Sequence, residues 1–420
     1  MKRLDGWIAT LAMVSIGSGA VFAQEHYERS EHHDMAMPAA KAEVRSADGR
    51  ITIPFRLSGN HVVIPITIQG TKLDVVLDTG MPMDGVMLYR NEKVERMKLV
   101  AEKGAQARVG GAGSESAHVA ADIVQGLTID IEGLRLTSAK AIVAPPVKGF
   151  ARDHDGIIGA SLFGPFVVSI DFEANRVVLD DPKSWVAPKD SVAVPLSVQK
   201  NFAFIEVGVL TKDGKRIPTK VVVDLGASHA ISLNIGATKG IEVPAGAIRT
   251  ILGRGLGGEV RGQVGRIAGL ELGGVVLRDV VATFPDAAHQ RPGGMDMGGG
   301  NLGSDFLQRF HVTFDMARGK MYLLPNKNFE RPFEWDMSGL GLEPDEKEGV
   351  RVAHIVAGSP AETAGVKVGD TLTRVDGRPV STGDLPSLKQ QLKRDGASLS
   401  ITLTRDGKPI ETTLGLKRLV

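Results

Sequence analysis

VVLDTG at residues 75–80 and VVVDLGAS at residues 221–228 decide how this sequence folds. Each stretch is an apolar, β-branched run that ends in an aspartate, Asp78 or Asp224, with a glycine two positions later. A single aspartate–x–glycine turn after a strand is a weak signal, because such turns are common in β proteins. Here the turn occurs twice, 146 residues apart, which suggests that the two halves of the chain are copies.

Two further landmarks recur at almost the same offset. The first half contains a glycine-bracketed segment and an acidic strand end, GIIG (156–159) and SIDF (169–172), which correspond in the second half to GNLG (300–303) and TFD (313–315). Both correspondences are separated by 144 residues. Apolar alternation and glycine turns fill the intervening stretches, which is typical of β-strands. The sequence therefore predicts a mainly β protein with two duplicated barrel lobes, at residues 49–186 and 187–327.

Composition excludes several classes of partner and site. The 420 residues carry 50 lysines and arginines against 49 aspartates and glutamates, so no net positive field favours nucleic acid. The chain has no cysteine, which excludes disulfides, thiolate metal sites and a cysteine nucleophile. Histidines within the lobes show no metal-ligand spacing, and we expect neither a metal nor an organic cofactor at the main site.

The N-terminus predicts export. Two basic residues precede an apolar segment at residues 7–22, and Val21-Phe22-Ala23 is an acceptable cleavage site. We therefore expect a signal peptide at residues 1–23 and a periplasmic or secreted protein. No later stretch is long and apolar enough to span a bilayer, so the mature chain should have no membrane span. Residues 24–48 predict a disordered linker, whose histidines and methionines leave open a soft-metal site.

Two aspartates at one pseudo-twofold axis can hydrolyse a peptide bond without a metal. Two carboxylates about 3 Å apart cannot both ionise, so one acts as a base and the other as an acid. The glycines of the two turns, Gly80 and Gly226, allow the two backbones to approach each other at the axis. Asp78 and Asp224 are therefore the candidate catalytic pair.

The residues that support this pair differ between the copies. Thr79 can brace the two loops, whereas Leu225 at the corresponding position cannot. Ser228 is expected to hydrogen-bond the outer carboxylate oxygen of Asp224, but Met81 and Pro82 offer nothing equivalent in the first copy. The first loop therefore keeps only the bracing hydroxyl, and the second keeps only the hydroxyl expected beside the carboxylate. With this incomplete support, the two carboxyl groups could be held less rigidly than in a complete site.

Glycine-rich segments follow each aspartate by roughly 30 residues. The flap candidates are Gly110 and Gly111 in the first copy and Gly255 and Gly257 in the second. Hairpins of this kind can close over a substrate and exclude water. An ordinary glycine-rich hairpin loop is the alternative.

Residues 50–325 resemble the pepsin-like and retropepsin-like aspartic peptidases, in particular the bacterial retropepsin-like proteins. In that family the Asp–Thr/Ser–Gly loop is followed by an apolar–apolar–glycine segment, and Ile157-Ile158-Gly159 and Asn301-Leu302-Gly303 stand at those places. The resemblance implies that Asp78 and Asp224 form the catalytic dyad. Leu225 and the Met81-Pro82 pair depart from the family pattern and weaken the case for activity more than the case for the fold.

Residues 337–420 resemble a PDZ domain. Gly339-Leu340-Gly341-Leu342 matches the carboxylate-binding loop of that family. The resemblance implies that a peptide C-terminus binds as an added strand, with its carboxylate on backbone N–H groups of this loop. Leu340 and Leu342 would then face the pocket for the terminal side chain. A module with a purely structural role is the alternative.

These features together predict an exported aspartic endopeptidase that cleaves peptide or protein substrates and binds peptide C-termini at its PDZ domain. The rival hypothesis is a catalytically degenerate, peptide-binding envelope protein with the same fold. The retained pair of aspartates favours the enzyme, and the incomplete support around it favours the rival.

Overall fold

The computed structural model describes residues 21–24, 40–111, 119–146, 153–255, 258–290, 298–345 and 349–420. Most of the predicted signal peptide and linker, and the flap candidate Gly257, lie outside these residues. The described part is mainly β with two barrel-like lobes and a C-terminal PDZ domain, so the predicted fold class is confirmed. None of its helices is long and apolar enough to cross a bilayer.

The first lobe is formed by the following elements: β1 (Val21–Gln24), β2 (Lys41–Val44), β3 (Ile51–Pro54), β4 (Arg56–Ser58), β5 (His61–Ile68), β6 (Thr71–Leu77), β7 (Val86–Tyr89), α1 (Glu92–Arg96), β8 (Gln106–Gly111), β9 (Val119–Ile131), β10 (Leu134–Ala144), β11 (Gly156–Ile158), α2 (Ala160–Phe163), β12 (Val167–Asp171) and β13 (Arg176–Asp180). Its main sheet has the order β1-β8-β9-β10-β7-β11-β6-β5-β4, with β2 paired to β10. An additional pairing of β5 with β9 makes the sheet barrel-like.

The second lobe repeats this plan with β14 (Val192–Pro195), β15 (Ser197–Gln199), β16 (Phe202–Leu210), β17 (Arg216–Asp224), β18 (Ile231–Leu233), β19 (Ile248–Gly255), β20 (Gly258–Leu272), β21 (Val275–Pro285), a 3-10 helix (Ala287–His289), β22 (Gly300–Gly303), α3 (Ser304–Leu307), β23 (Phe310–Asp315) and β24 (Lys320–Pro325). Its main sheet has the order β15-β16-β17-β22-β18-β21-β20-β19. Here β16 also pairs with β20, as β5 pairs with β9 in the first lobe.

Strand pairing around the two aspartates is the same in both lobes. Strand β11 runs parallel to β6 and antiparallel to β7, and β22 runs parallel to β17 and antiparallel to β18. These inserted strands are the GIIG and GNLG segments that repeat in the sequence, and a short helix follows each of them. Each aspartate is therefore placed at a strand end beside a buried strand of its own lobe.

The lobes share one sheet and one hydrophobic core. A six-stranded sheet with the order β14-β24-β23-β12-β13-β3 takes strands from both lobes. At the pairing of β12 with β23, the repeat partners Ser169 and Thr313 lie opposite each other, and their hydroxyl oxygens are 2.9 Å apart. Buried residues from β3 to β24 form one continuous cluster. Because this sheet needs strands from both copies, the lobes form one structural unit.

The PDZ domain has its own core. It is formed by β25 (Leu340–Pro344), β26 (Val350–Ile355), α4 (Pro360–Thr363), β27 (Thr371–Val375), β28 (Arg378–Pro379), a 3-10 helix (Thr382–Asp384), α5 (Leu385–Gln391), β29 (Ser398–Arg405) and β30 (Lys408–Gly415). The sheet order β25-β26-β27-β29-β30 leaves β25 at one edge, where an added strand can pair. Helix α5 contacts β25, so the two elements border a groove.

A buried arginine fixes the segment that connects the second lobe to the PDZ domain. The side chain of Arg309 is fully buried, and its guanidinium lies 3.5 Å from the centre of the Phe333 ring. It donates hydrogen bonds to the carbonyl oxygens of Asn328, Arg331 and Pro332. Burial lowers the pKa of Arg309 to about 10, so the group stays charged at neutral pH. The connecting segment therefore folds around a single cation.

We expect Arg309→Met to lower the free energy of unfolding by about 2–4 kcal/mol, because three carbonyl groups of the connecting segment lose a donor that comes from the buried interior. Urea denaturation followed by tryptophan fluorescence measures this change. The matched control is Arg278→Met, which removes an exposed arginine of the same lobe and should have little effect. Equal stability of the two variants would show that the connecting segment does not depend on Arg309.

Candidate active site

The fold brings Asp78 and Asp224 together in the buried seam between the lobes. Both side chains are fully buried. The carboxylate oxygen Oδ1 of Asp78 accepts hydrogen bonds from the N–H of Gly80 at 2.7 Å and from the N–H of Gly226 at 3.1 Å. One donor comes from each loop, so a single carboxylate oxygen joins the two copies.

Asp224 is the group whose protonated form the site favours. Burial raises its pKa well above the usual aspartate value, and the neighbouring charge of Asp78 and a hydrogen bond between the two carboxyl groups raise it further. A hydrogen bond from Asn301 opposes this shift. The pair is therefore close enough to share a proton, as two like charges in a low-dielectric environment must.

The glycines of both turns are required by this close approach. A β-carbon on Gly226 would lie 2.4 Å from Oδ2 of Asp78, and a β-carbon on Gly80 would lie 2.9 Å from Oδ1 of Asp224. Any side chain at either position would push a carboxyl group away from the seam. The predicted role of Gly80 and Gly226 therefore fits the observed geometry.

Thr79 braces the loops from one side only. Its hydroxyl donates to the carbonyl oxygen of Val223 at 2.7 Å and accepts from the N–H of Leu225 at 3.0 Å. Leu225 has no hydroxyl group that could make the reciprocal hydrogen bonds, and its side chain is fully buried in the common core. Its carbonyl oxygen instead accepts a hydrogen bond from Ser304 at 2.8 Å. The second loop is thus held by core packing and by the first turn of α3.

The expected role of Ser228 is wrong. Its side chain is half-buried, and among the described residues its hydroxyl makes no hydrogen bond to Asp224. Asn301 replaces it, because the amide Nδ2 donates to Oδ2 of Asp224 at 2.8 Å. The amide oxygen of Asn301 in turn lies 3.1 Å from Nε2 of His229. The sequence signal for this role was the polar Asn301 at a position where the family has an apolar residue.

A reciprocal pair of asparagines, which the sequence reasoning missed, binds each loop to the opposite lobe. Asn60 in the first lobe donates to the carbonyl oxygen of Ser228, and Asn201 in the second lobe donates to the carbonyl oxygen of Pro82, both at 2.8 Å. Each acceptor lies four residues after its aspartate. Both asparagines have a left-handed backbone, with φ values of 76° and 65°. The two asparagines thus hold both loops in the same way, whereas Thr79 holds them from the first loop only.

The flap candidates fall at two hairpins. Gly110 and Gly111 end β8, which pairs with β9, and residues 112–118 lie outside the described part. Gly255 ends β19 and pairs with Gly258 at the start of β20. Strand β19 lines a cavity of about 290 Å³ together with Ser228 and His229 of the second aspartate loop. The second hairpin is thus beside the loop that follows Asp224.

The same cavity reaches the PDZ domain, and we call it the interdomain cavity. Its lining includes Gly339 to Pro344 and part of α5. Leu340 and Leu342 contribute to this wall. The predicted role of the glycine loop requires correction. The N–H of Gly339 donates to Asp336 at 2.7 Å, and the N–H of Leu340 donates to the Ser338 hydroxyl at 3.0 Å. These two donors are used within the chain.

Three potential metal ligands meet at a site that sequence spacing did not reveal. The imidazole nitrogens of His311 lie 3.2 Å from Asp171 and 2.9 Å from Glu173. The ammonium of Lys327 is 3.9 Å from Glu173. Both nitrogens of His311 already have carboxylate partners, and a cation would have to displace one of these contacts. The geometry is that of a hydrogen-bonded ion cluster.

Two barrel lobes that share a sheet and bring one aspartate each to a buried seam define a retropepsin-like fold of the aspartyl protease class. An aspartyl protease family model matches residues 64–162 and 208–306, which are the two repeats, and a PDZ domain model matches residues 337–416. The chain therefore contains a duplicated aspartyl protease region followed by a PDZ domain.

The curated relatives are similar to only a part of this chain. "Periplasmic serine endoprotease DegP" of Escherichia coli (strain K12) is 32% identical over 79 residues, which cover 18% of this chain and 16% of DegP. "Carboxy-terminal processing protease CtpA" of Bacillus subtilis (strain 168) is 28% identical over 100 residues, which cover 20% of this chain and 22% of CtpA. The chain thus spans less than a quarter of the length of either relative. Among solved structures, the aspartic proteinase from Irpex lacteus has a TM-score of 0.43 and 12% identity, covering 67% of this chain and 99% of its own.

We expect Asn60→Gly and Asn201→Gly each to lower the free energy of unfolding by about 1 kcal/mol, since each removes one hydrogen bond between the lobes. Glycine is chosen because it tolerates the left-handed backbone. The control is Asn175→Gly, an exposed asparagine that also has a positive φ. Chemical denaturation of the three variants tests the brace, and an equal response of all three would contradict it.

The raised pKa of Asp224 predicts that stability falls with rising pH. The native state binds this proton more tightly than the unfolded state, so stability decreases from about pH 4, the pKa of an unfolded aspartate, up to the raised pKa. Asp224→Asn removes this titration. The variant should melt at a higher temperature than the parent at pH 7 and at the same temperature below about pH 4. A variant that is less stable than the parent at pH 7 would contradict the burial argument.

Proposed function

We propose that this protein is an aspartic endopeptidase, and the observation that carries the proposal is the close approach of the buried carboxyl groups of Asp78 and Asp224, each packed against the glycine of the opposite loop. One ionised and one protonated carboxyl group provide a base and an acid at the same place. The base takes a proton from a water molecule whose oxygen attacks the peptide carbonyl carbon. The acid gives its proton to the carbonyl oxygen, and collapse of the tetrahedral intermediate transfers a proton to the leaving amine.

The hydrogen bonds around the pair support an assignment of the two roles in the free enzyme. Asp78 accepts two backbone N–H groups, which stabilise its ionised form. The pKa of Asp224 is raised by burial and by the charge of Asp78, which favours its protonated form. We therefore assign the base to Asp78 and the acid to Asp224, with the proton belonging to the coupled pair.

The PDZ domain is proposed to bind the C-terminal segment of the substrate. The interdomain cavity is lined both by the loop that follows Asp224 and by the edge strand β25 of the PDZ domain. An extended peptide that pairs with β25 therefore has a route toward the catalytic seam. The predicted signal peptide supports action outside the cytoplasm, and DegP, which is similar over 79 residues, is by its name a periplasmic protease.

Asp78→Asn and Asp224→Asn should each reduce peptide hydrolysis at least about a thousandfold while the protein stays folded, because either change removes the shared proton system. The assay uses a mixed peptide library analysed by mass spectrometry between pH 3 and pH 8. Asp48→Asn, which alters an exposed aspartate, is the matched control and should retain activity.

The pH profile provides a second readout. Activity requires one protonated carboxyl group, so the rate should fall as pH rises through the raised pKa of Asp224. A transition-state inhibitor of aspartic peptidases should abolish cleavage. If the parent protein binds the peptides but cleaves none of them at any pH, the catalytically degenerate binding protein is the correct description.

A further inference from the structure

A buried histidine lies one hydrogen bond behind the amide that contacts Asp224. The Nε2 of His229 lies 3.1 Å from the amide oxygen of Asn301, and the amide nitrogen of Asn301 donates to Oδ2 of Asp224 at 2.8 Å. Both His229 and Asn301 are buried, and His229 lines the interdomain cavity. The three side chains therefore form a continuous chain of hydrogen bonds from the wall of that cavity to the carboxyl group of Asp224.

The backbone fixes the positions of both residues behind Asp224. Asn301 lies on β22, which is inserted between β17 and β18. The carbonyl oxygen of His229 accepts the N–H of Asp305 at 3.2 Å, and a β-carbon on Gly303 would lie 2.2 Å from that same oxygen. The loop after β17 and the end of β22 are thus packed directly against each other, so the two side chains keep a fixed separation.

The first copy has an apolar pair at the corresponding places. Ile157 stands 144 residues before Asn301, and Met83 stands 146 residues before His229. Ile157 is fully buried, and Met83 packs against the same hydrophobic cluster. Buried amide and imidazole groups are costly unless they are hydrogen-bonded, so an apolar pair would serve packing at least as well. The polar pair of the second copy therefore indicates a role that involves Asp224 itself.

The direction of each hydrogen bond follows from the chemistry of the groups. An amide nitrogen can only donate, and an amide oxygen can only accept. With the amide nitrogen of Asn301 on Asp224, the amide oxygen faces His229, so Nε2 of His229 must carry a hydrogen. The reversed amide would need an Nε2 without hydrogen and a proton on Oδ2 of Asp224. The tautomer of His229 therefore decides which oxygen of Asp224 can bear the proton.

The two oxygens of Asp224 face different sides of the seam. Oδ2 is on the side of Asn301. Oδ1 is on the side of the first loop, since a β-carbon on Gly80 would lie 2.9 Å from it and 3.0 Å from Oδ1 of Asp78. A proton on Oδ1 of Asp224 is thus located between the two carboxyl groups, whereas a proton on Oδ2 would be withdrawn into the second lobe.

We propose that His229, with a hydrogen on Nε2, is a positioning residue that holds the amide of Asn301 in one orientation and so keeps the proton of Asp224 on Oδ1. His229 does not touch the reacting atoms and acts through Asn301. The inference rests on the proposed peptidase function for its effect on turnover. The places of the two protons are properties of the protein without substrate and are tested without hydrolysis.

Nitrogen NMR on the full chain with ring-labelled histidine tests the tautomer. A long-range proton–nitrogen spectrum at neutral pH should show a hydrogen on Nε2 of His229, and the signal is assigned by its absence in His229→Gln. Carbon NMR with carboxyl-labelled aspartate then follows the titration of Asp224, assigned with Asp224→Asn. Because the amide of Asn301 stabilises the ionised carboxylate, Asn301→Ile should raise the pKa of Asp224 above its value in the parent.

A double-mutant cycle separates positioning from support of the fold. His229→Met combined with Asn301→Ile copies the apolar character of the first-lobe pair and should stay folded, which thermal unfolding verifies. His229→Met alone should raise the pKa of Asp224, as Asn301→Ile does, and should add nothing in the Asn301→Ile background. His229→Gln should restore the parent titration, because its amide nitrogen can donate to Asn301.

The matched control is His311→Met, which removes a histidine of the shared six-stranded sheet and should leave the titration of Asp224 unchanged. All variants of the cycle keep the neighbouring charges, namely Asp78 and the ion pair of Asp305 with Arg331 at 3.0 Å. A shift in the titration therefore reports the hydrogen-bond chain.

The effect on turnover is measured with a peptide that the parent cleaves. His229→Met should lower kcat about tenfold while KM stays within about twofold, because a misplaced proton slows the chemical step and does not alter binding. His229→Gln should keep most of the parent kcat.

Several outcomes would overturn the proposal. One is an Nε2 without hydrogen on His229 in the parent, and another is a titration of Asp224 that Asn301→Ile shifts and His229→Met does not. Additive shifts in the double variant would mean that His229 acts independently of Asn301, and equal losses of kcat in His229→Met and His229→Gln would exclude a role as donor. A parent that cleaves no peptide rejects the proposed peptidase function, while the two NMR results still decide this inference.

Discussion

Two carboxyl groups in contact within a buried seam set the constraint on which the rest of the protease region depends. Bringing two ionised carboxylates into a low-dielectric interior is unfavourable, and the pair is tolerated because it holds a proton and because backbone N–H groups stabilise the remaining charge. Asp78 receives such donors from both loops. Every element that fixes the separation of the lobes therefore also fixes the protonation of the pair.

The protein satisfies this constraint with unlike parts on its two sides. Thr79 hydrogen-bonds the second loop from the first loop, whereas Leu225 at the corresponding position packs into the hydrophobic core. The asparagines Asn60 and Asn201 restore symmetry from outside the aspartate loops, since each binds the loop of the opposite lobe. The shared six-stranded sheet joins the two lobes as well. A degraded motif in the sequence is therefore not evidence of a loose site, because the support has moved to residues that the motif does not include.

Those parts of the structure that repeat in the sequence were predictable, and those that break the repeat were not. The duplicated aspartate turns and the GIIG and GNLG strands led to the two-lobed β fold, in which Asp78 and Asp224 meet. The role of Ser228 was assigned by family pattern and failed, because Asn301 reaches the same oxygen from another strand. The asparagine brace joins residues 168 and 119 positions apart, and no local pattern reports contacts of that range.

The junction between the second lobe and the PDZ domain gives the two candidate sites a fixed relation. Arg266 donates to the carbonyl oxygens of Phe333 and Val420 and pairs with Glu334, so one side chain joins the lobe to the connecting segment and to the last residue of the PDZ domain. Arg254, on the hairpin strand β19, forms an ion pair at 2.7 Å with Glu343 on the PDZ edge strand. The hairpin beside the aspartate loop and the strand that would receive a peptide are thus in direct contact. A peptide that pairs with β25 would lie alongside this ion pair, so the proposed binding of a chain end would also contact the hairpin that the sequence predicts as a flap.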